Sequence, residues 1–388
     1  MRIGIVCHPS IGGSGLIATQ LGIGLARKGH DIHFICRERP FKLDKLEPNI
    51  HLHLVEEINY PLFEHPLYTF ALTAKIVEVA QKHQLDVVHA HYSIPHSLCC
   101  YLAEEISQYK FATITTIHGT DVTVVGQDRP LYPLNEFSIN KSTKVTTVSK
   151  FQRSYIHANF NITNHIDVIN NFIDMDVFTP HKKSSAVRQT LAEPDEKILM
   201  HISNFREVKN TKAVIAAFHL VQSKIKSRLV LLGNGPDIDA MKEMATDLGI
   251  IDKINFMGNI NHVESLLPNA DCVIQPSYHE SFSMVVLEAM ASAIPTVSSN
   301  VDGIPEVAKH GETGYLADPD DVVSMAGFVI DIMSNDKLQY LMGQNGRARA
   351  MQKFSWDAKV EQYLSCYQAA LLEHRKSILT LEKDKQSL

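Results

Sequence analysis

Three observations predict an α/β chain folded as two parallel-sheet domains. The chain has 388 residues, more than one ordinary core organises. Short apolar runs alternate with longer amphipathic ones, which implies parallel strands covered by helices on both faces. The alternation also breaks once. Near residue 172 it gives way to the polar, proline-bearing stretch IDMDVFTPHKKSSAVRQTLAEPDE, and then it restarts. Two such halves predict two Rossmann-like domains facing a central cleft: residues 1–172, and residues 173–354 with a linker over about 173–196. The charged stretch over about 355–388 has helical propensity and is expected to pack back near the first domain.

The elements follow in order. The strand RIGIVC leads through HPSIGGSG into the helix GLIATQLGIGLARKG, which Gly29 ends at a C′ position. The strands DIHFIC, IHLHLV, DVVHAH, ATITTIH, KVTTVS and HIDVINNF complete the first half, with a helix over 66–83 whose only Lys or Arg residues are Lys75 and Lys82. The second half reads KILMHISN, SRLVLLGN, KINFMG, CVIQPS and IPTVSSN as strands, again divided by helices. GIPEV and HGETGYL read as turns, with Pro305 suited to a first helical position.

Composition narrows the function. A net charge of −6 argues against nucleic acid and against anionic membrane as partners. No apolar run reaches the roughly 18 residues of a membrane span, and a strand beginning at residue 2 leaves no room for a signal peptide. Cys7, Cys36, Cys99, Cys100, Cys272 and Cys366 show no C-x-x-C and no zinc spacing. They read as reduced, mostly buried thiols of a cytoplasmic protein. The sequence leaves oligomeric state open, a homo-oligomer included.

Chemistry gathers at strand ends. HPSIGGSG is not a dinucleotide fingerprint, but Gly12, Gly13 and Gly15 permit close backbone approach, and the helix start at Ser14 suits a phosphate or a carboxylate. The alternative is merely a tight turn. His89 and His91 share a strand face, yet no third ligand stands at metal spacing. His91 and Tyr92 are either ligand-facing or, for the histidine, satisfied in the core. His118 ends its strand and reads as a cleft residue. Arg206 and Lys209 follow another strand, three apart, and a guanidinium with an ammonium neutralises a diphosphate without metal. A solvated helix start is the alternative, but cations there oppose the dipole. GNGP, FMGNI and QPSYHESFS supply further loops on the same rim. Glu280 and Glu288 bracket the apolar Met284–Leu287. Either they lie on a solvated face or they await a ligand rich in hydroxyls.

Taken in order, Arg206/Lys209, GNGP, the E-x7-E pair Glu280/Glu288 with its EAM, GIPEV and HGETGYL resemble the retaining glycosyltransferases of family 4, across essentially the whole chain. The E-x7-E spacing alone is weak; the landmarks in order are strong. HPSIGGSG, HAHYSIPH, HGTDVTVVG, HISNFREVK and NNFID are similar to those family members that join N-acetylglucosamine, from UDP-N-acetylglucosamine, to the hydroxyl of L-malate in the first step of bacillithiol biosynthesis. The resemblance implies the GT-B fold and metal-independent, retaining transfer without a cofactor. It implies Glu280, His118, Arg206 and Lys209 as the catalytic set. Glu288 would meet the ribose, and Asn259 to Val263 the uracil. The backbone of Ser281, Phe282, Ser283, Met284 and Val285 would meet the sugar and diphosphate, with Gly13, Ser14 and Asn204 completing the donor set. Ser14, Tyr92, Thr120 and Asn171 are the malate candidates. The family usually has glycine where Ser283, Ala293 and Asp302 stand. Two other expectations compete: a family 4 hexosyltransferase acting on a lipid or polysaccharide, which would favour a basic-aromatic helix in the first domain, and a GT-B nucleotide-sugar epimerase, which would act without acceptor.

Overall fold

The computed structural model describes residues 1–9, 13–43, 47–56 and 67–386, the last six by backbone alone. The chain divides into two compact units, Met1–Asn171 with Asp357–Leu388, and Phe172–Trp356.

Among the described residues the first unit holds seven strands: β1 (Arg2–Val6), β2 (Asp31–Cys36), β3 (Ile50–Leu54), β4 (Val87–His91), β5 (Ala112–Ile117), β6 (Lys144–Thr147) and β7 (Ile166–Val168). All pair in parallel, in the order β3-β2-β1-β4-β5-β6-β7. β4 and β5 are buried along their whole length, as strands covered on both faces must be. The strand order reverses between β1 and β4, and loops leaving the carboxyl ends of strands at such a point form a ligand site.

The long helix Trp356–Gln386 returns to this unit. Its Tyr363 and Tyr367 are fully buried, and the Tyr367 hydroxyl lies 2.7 Å from His89 Nδ1. His89 Nε2 meets Thr116 Oγ1 at 2.7 Å. Both ring nitrogens of His89 are therefore satisfied, and His89 is a structural core residue.

The second unit holds β8 (Lys197–Ile202), β9 (Ser227–Leu232), β10 (Ile254–Phe256), β11 (Cys272–Gln275), β12 (Thr296–Ser299) and β13 (Gly314–Ala317), in the order β10-β9-β8-β11-β12-β13. Its core includes Leu199, Phe205, Phe218, Leu231 and Val329. Here the order reverses between β8 and β11. The polar stretch after residue 172 belongs to this unit. Its helix Ser185–Leu191 is capped by Ser184, and Arg188 reaches Asp271 at 2.8 Å and the Asn269 and Glu196 carbonyls.

One expectation is corrected. HGETGYL contains a strand, β13, paired in register with β12 from Thr296↔Gly314 to Ser299↔Ala317. Four residues opening on glycine carry little strand signal; the exposed edge of β12 supplies the missing half. GIPEV is a short helix, Ile304–Val307, with Pro305 in its first turn. No described helix is long and apolar enough to cross a membrane.

Candidate active site

In the second unit the loops after β8, β9, β11 and β12 are tied into one frame. Tyr278 N–H donates to the Val208 carbonyl (2.9 Å), Asp237 N–H to the Phe205 carbonyl (3.0 Å) and Gly303 N–H to the Glu280 carbonyl (2.9 Å). Glycines permit this closeness. A Cβ on Gly235 would stand 2.0 Å from the Asn204 carbonyl oxygen, and one on Gly303 2.0 Å from that of Ser281.

This frame places the predicted charges. The Arg206 guanidinium is exposed and has no partner among the described residues. Lys209 Nζ instead pairs with Glu280 Oε1 at 2.6 Å, where Ser277 Oγ also donates at 3.2 Å. Lys209 and Glu280 are thus one preorganised group, both mostly buried. Asp302, after β12, accepts the Glu280 N–H at 3.1 Å and lies 3.1 Å from His279 Nδ1. Asp237, which opens a D-x-D spelling, accepts from Thr211 Oγ1 at 3.1 Å, and Asp174, which opens another, closes its own turn.

The helix Met284–Ala291 begins at Ser283. Its first N–H groups, those of Met284 and Val285 among them, lack intrahelical acceptors and suit an anion. Ser283 sits at φ 70° with its hydroxyl buried and unpartnered. The Phe282 side chain is core, packed edge-on against Phe354, so only its backbone remains for a ligand. Ser281 is partly buried, as is Val263, while Asn204 and Asn259 are exposed. Glu288 is partly buried, and its carboxyl has no hydrogen-bonding or ionic partner among the described residues. Burial, with the Glu264 charge nearby, pushes it up to about 8. The solvated-face alternative fails for Glu288.

In the first unit, the turn before the helix Gly13–Arg27 is described from Gly13, which is exposed at φ 57°; Gly12 lies outside the described residues. Ser14 follows, partly buried. Tyr92, at the end of β4, meets Thr120 Oγ1 at 2.6 Å. His118 Nε2 lies 3.1 Å from His91 Nδ1, and burial pushes His118 down to about 3, with His8 adding. Two histidines not singled out in the sequence join them. His8 follows β1, with its ring 4.3 Å from His96 and 5.2 Å from Tyr92. The buried Nε2 atoms of His91 and His96 and the buried Asn171 Oδ1 have no partner among the described residues. Buried polar atoms left without partners are costly.

Asp121 holds this end together and was also missed. It is buried and accepts from the N–H groups of Gly119 (2.7 Å), His118 (3.2 Å) and Ser93 (3.3 Å). Burial still pushes it up to about 6. The HGTD spelling was its signal: an acid two residues past a glycine at a strand end.

Comparison with known proteins agrees with this architecture. Residues 11–177 match the family model described as Glycosyltransferase Family 4, and residues 183–349 that described as Glycosyl transferases group 1. The chain is 38% identical over 375 residues to N-acetyl-alpha-D-glucosaminyl L-malate synthase of Bacillus anthracis, covering 97% of this chain and 98% of that one. The fold is that of sucrose-phosphate synthase from Thermosynechococcus elongatus (TM-score 0.79, 22% identity, 95% and 98% of the two chains) and of a glycosyltransferase from Rickettsia africae ESF-5 (TM-score 0.80, 20% identity, 95% and 98%). On its loops, its two sheets and this likeness, the chain is a GT-B enzyme and belongs to the family 4 glycosyltransferases.

Proposed function

We propose that the protein transfers N-acetylglucosamine from UDP-N-acetylglucosamine to the hydroxyl of L-malate, with retention at the anomeric carbon and no metal in the transfer step. The observation that carries this reading is the 38% identity, over 97% of the chain, to the Bacillus anthracis enzyme of that name. The geometry of the second unit supports a nucleotide-diphosphate donor. Arg206 and the Glu288 carboxyl have no partner among the described residues, which leaves a cation for the leaving group and a carboxyl for ribose hydroxyls, and the Met284 helix start offers N–H donors.

In this reading the bond from the sugar carbon to phosphate breaks with its electron pair leaving on UDP. The malate hydroxyl bonds to the same face, and its proton passes to the departing phosphate oxygen. Charge stabilisation and positioning are the protein's share. Lys209 is held by Glu280, whereas Arg206, without a partner among the described residues, is a cation able to follow charge onto the leaving group.

The acceptor belongs to the first unit in this reading. Tyr92, Thr120 and His118 supply hydrogen-bonding groups there, and Ser14 lies in the first turn of a helix. A site built to pair carboxylates rejects a neutral analogue strongly. Steady-state kinetics with malate, malate diester and glycerol test it. Malate is expected to lead in kcat/KM by at least about 10²-fold; equal rates with the diester would remove the carboxylate site.

A further inference from the structure

We propose that the first unit carries a second site, a Zn²⁺-type divalent-metal site formed by His33, His53 and His83 at the edge of its sheet, with Asp31 and His51 behind it. β3 is the edge strand, and His33 pairs in register with His51 while Ile35 pairs with His53. His33, His51 and His53 therefore project from one face. His83, the last residue of the helix Tyr68–His83, closes over the group: its ring lies 4.5 Å from that of His33 and 5.2 Å from that of His53. One ligand atom from each of His33, His53 and His83 fits within 4.8 Å of the others.

The hydrogen bonds select a tautomer. His33 Nε2 donates to Asp31 Oδ2 at 3.2 Å, which leaves Nδ1 as the lone-pair nitrogen. That Nδ1 accepts from His53 Nε2 at 3.0 Å, so an ion bound between them requires His53 to pass to its Nδ1–H tautomer. Two imidazoles on a tetrahedral zinc, each about 2.0–2.1 Å from it, stand about 3.3 Å apart, so the pair opens by only a few tenths of an ångström to admit the ion. A carboxylate behind a ligating histidine is the usual support for such a ligand. Asp31 also accepts from His51 Nε2 at 2.8 Å through its other oxygen, which holds it in place. An all-imidazole set suits zinc, copper or nickel rather than magnesium or calcium. His53 and His83 are partly exposed, so an ion can enter from solvent. Bound there, it would staple the edge strand β3 to β2 and to the helix.

The test uses the full-length, untagged protein, stripped of metal, with Zn²⁺ alone for dialysis and thermal melting and Co²⁺ as an optical probe. Wild type is expected to hold one metal equivalent that His83→Gln and His53→Gln each lose, with a Co²⁺ visible band and a Zn²⁺-induced rise in melting temperature that disappear in both variants. His83 ends a helix and is partly exposed, so its variant folds even if that of the strand residue does not. Identical metal uptake by wild type and His83→Gln, or none by wild type, overturns the site and leaves a hydrogen-bonded histidine stack.

Discussion

Glu288 sits in an environment that disfavours its charge. Its carboxyl titrates at about 8 against an ordinary 4.5 because burial disfavours the charge. The folded protein therefore holds a proton that the unfolded chain releases. Stability relative to Glu288→Gln falls as pH rises from about 4.5 through about 8. Hydroxyl donors of a bound ribose favour the carboxylate, so binding expels the proton. UDP affinity is expected to rise between about pH 6 and 8 in wild type more steeply than in Glu288→Gln, where only the phosphates titrate. Parallel pH profiles by calorimetry would contradict a ribose contact. Ala293 tests backbone strain. It, Ser283 and Asp302 stand at φ 57°, 70° and 51°, where glycine is easiest. Asp302 offsets its strain with the Glu280 N–H bond; Ala293, just past the end of its helix, has no side chain able to do so. Ala293→Gly is expected to stabilise by about 1 kcal/mol, roughly 2–4 °C in melting temperature. A lower melting temperature would show that its methyl packing outweighs strain.

At the scale of elements, the loops that carry the site depend on backbone contact. A methyl at Gly303 meets the Ser281 carbonyl oxygen at 2.0 Å, and backbone yields less easily than a side chain. Gly303→Ala is expected to push the 280–283 loop off its position, cost about 1–3 kcal/mol and weaken UDP at least tenfold; unchanged UDP affinity would show the loop is no part of the donor site. Much of this architecture was legible in the sequence. Continuous apolar runs such as DVVHAH and ATITTI mark strands buried on both faces, and β4 and β5 are such strands. Arg206 and Lys209 were readable because both follow β8 within one short loop. The rest depended on contacts that no local pattern encodes. Lys209 and Glu280 are 71 residues apart. The His33 cluster gathers histidines from two strands and a helix end, a grouping that linear spacing does not show. His8, His96 and Asp121 acquire their roles only once β1, β4 and β5 lie side by side.

Across the whole molecule, each unit reverses its strand order once and collects polar groups at the carboxyl ends beside that reversal. The groups differ in kind. The second unit offers a helix start and, without partners among the described residues, a guanidinium and a carboxyl, which suit a nucleotide diphosphate with a diol. The first offers buried histidines, hydroxyls and a helix start, which suit a small polar acceptor. The central claim joins the two: a sugar leaves the donor and arrives on malate with its anomeric configuration kept. The most direct measurement incubates the purified protein with UDP-N-acetylglucosamine and a panel of hydroxy acids, then identifies products by mass and anomeric configuration by NMR. The account predicts UDP and an α-linked N-acetylglucosaminyl malate in equal amounts, with malate preferred over the rest of the panel. A β-linked product, a sugar-nucleotide isomer formed without acceptor, or no transfer to malate would contradict it.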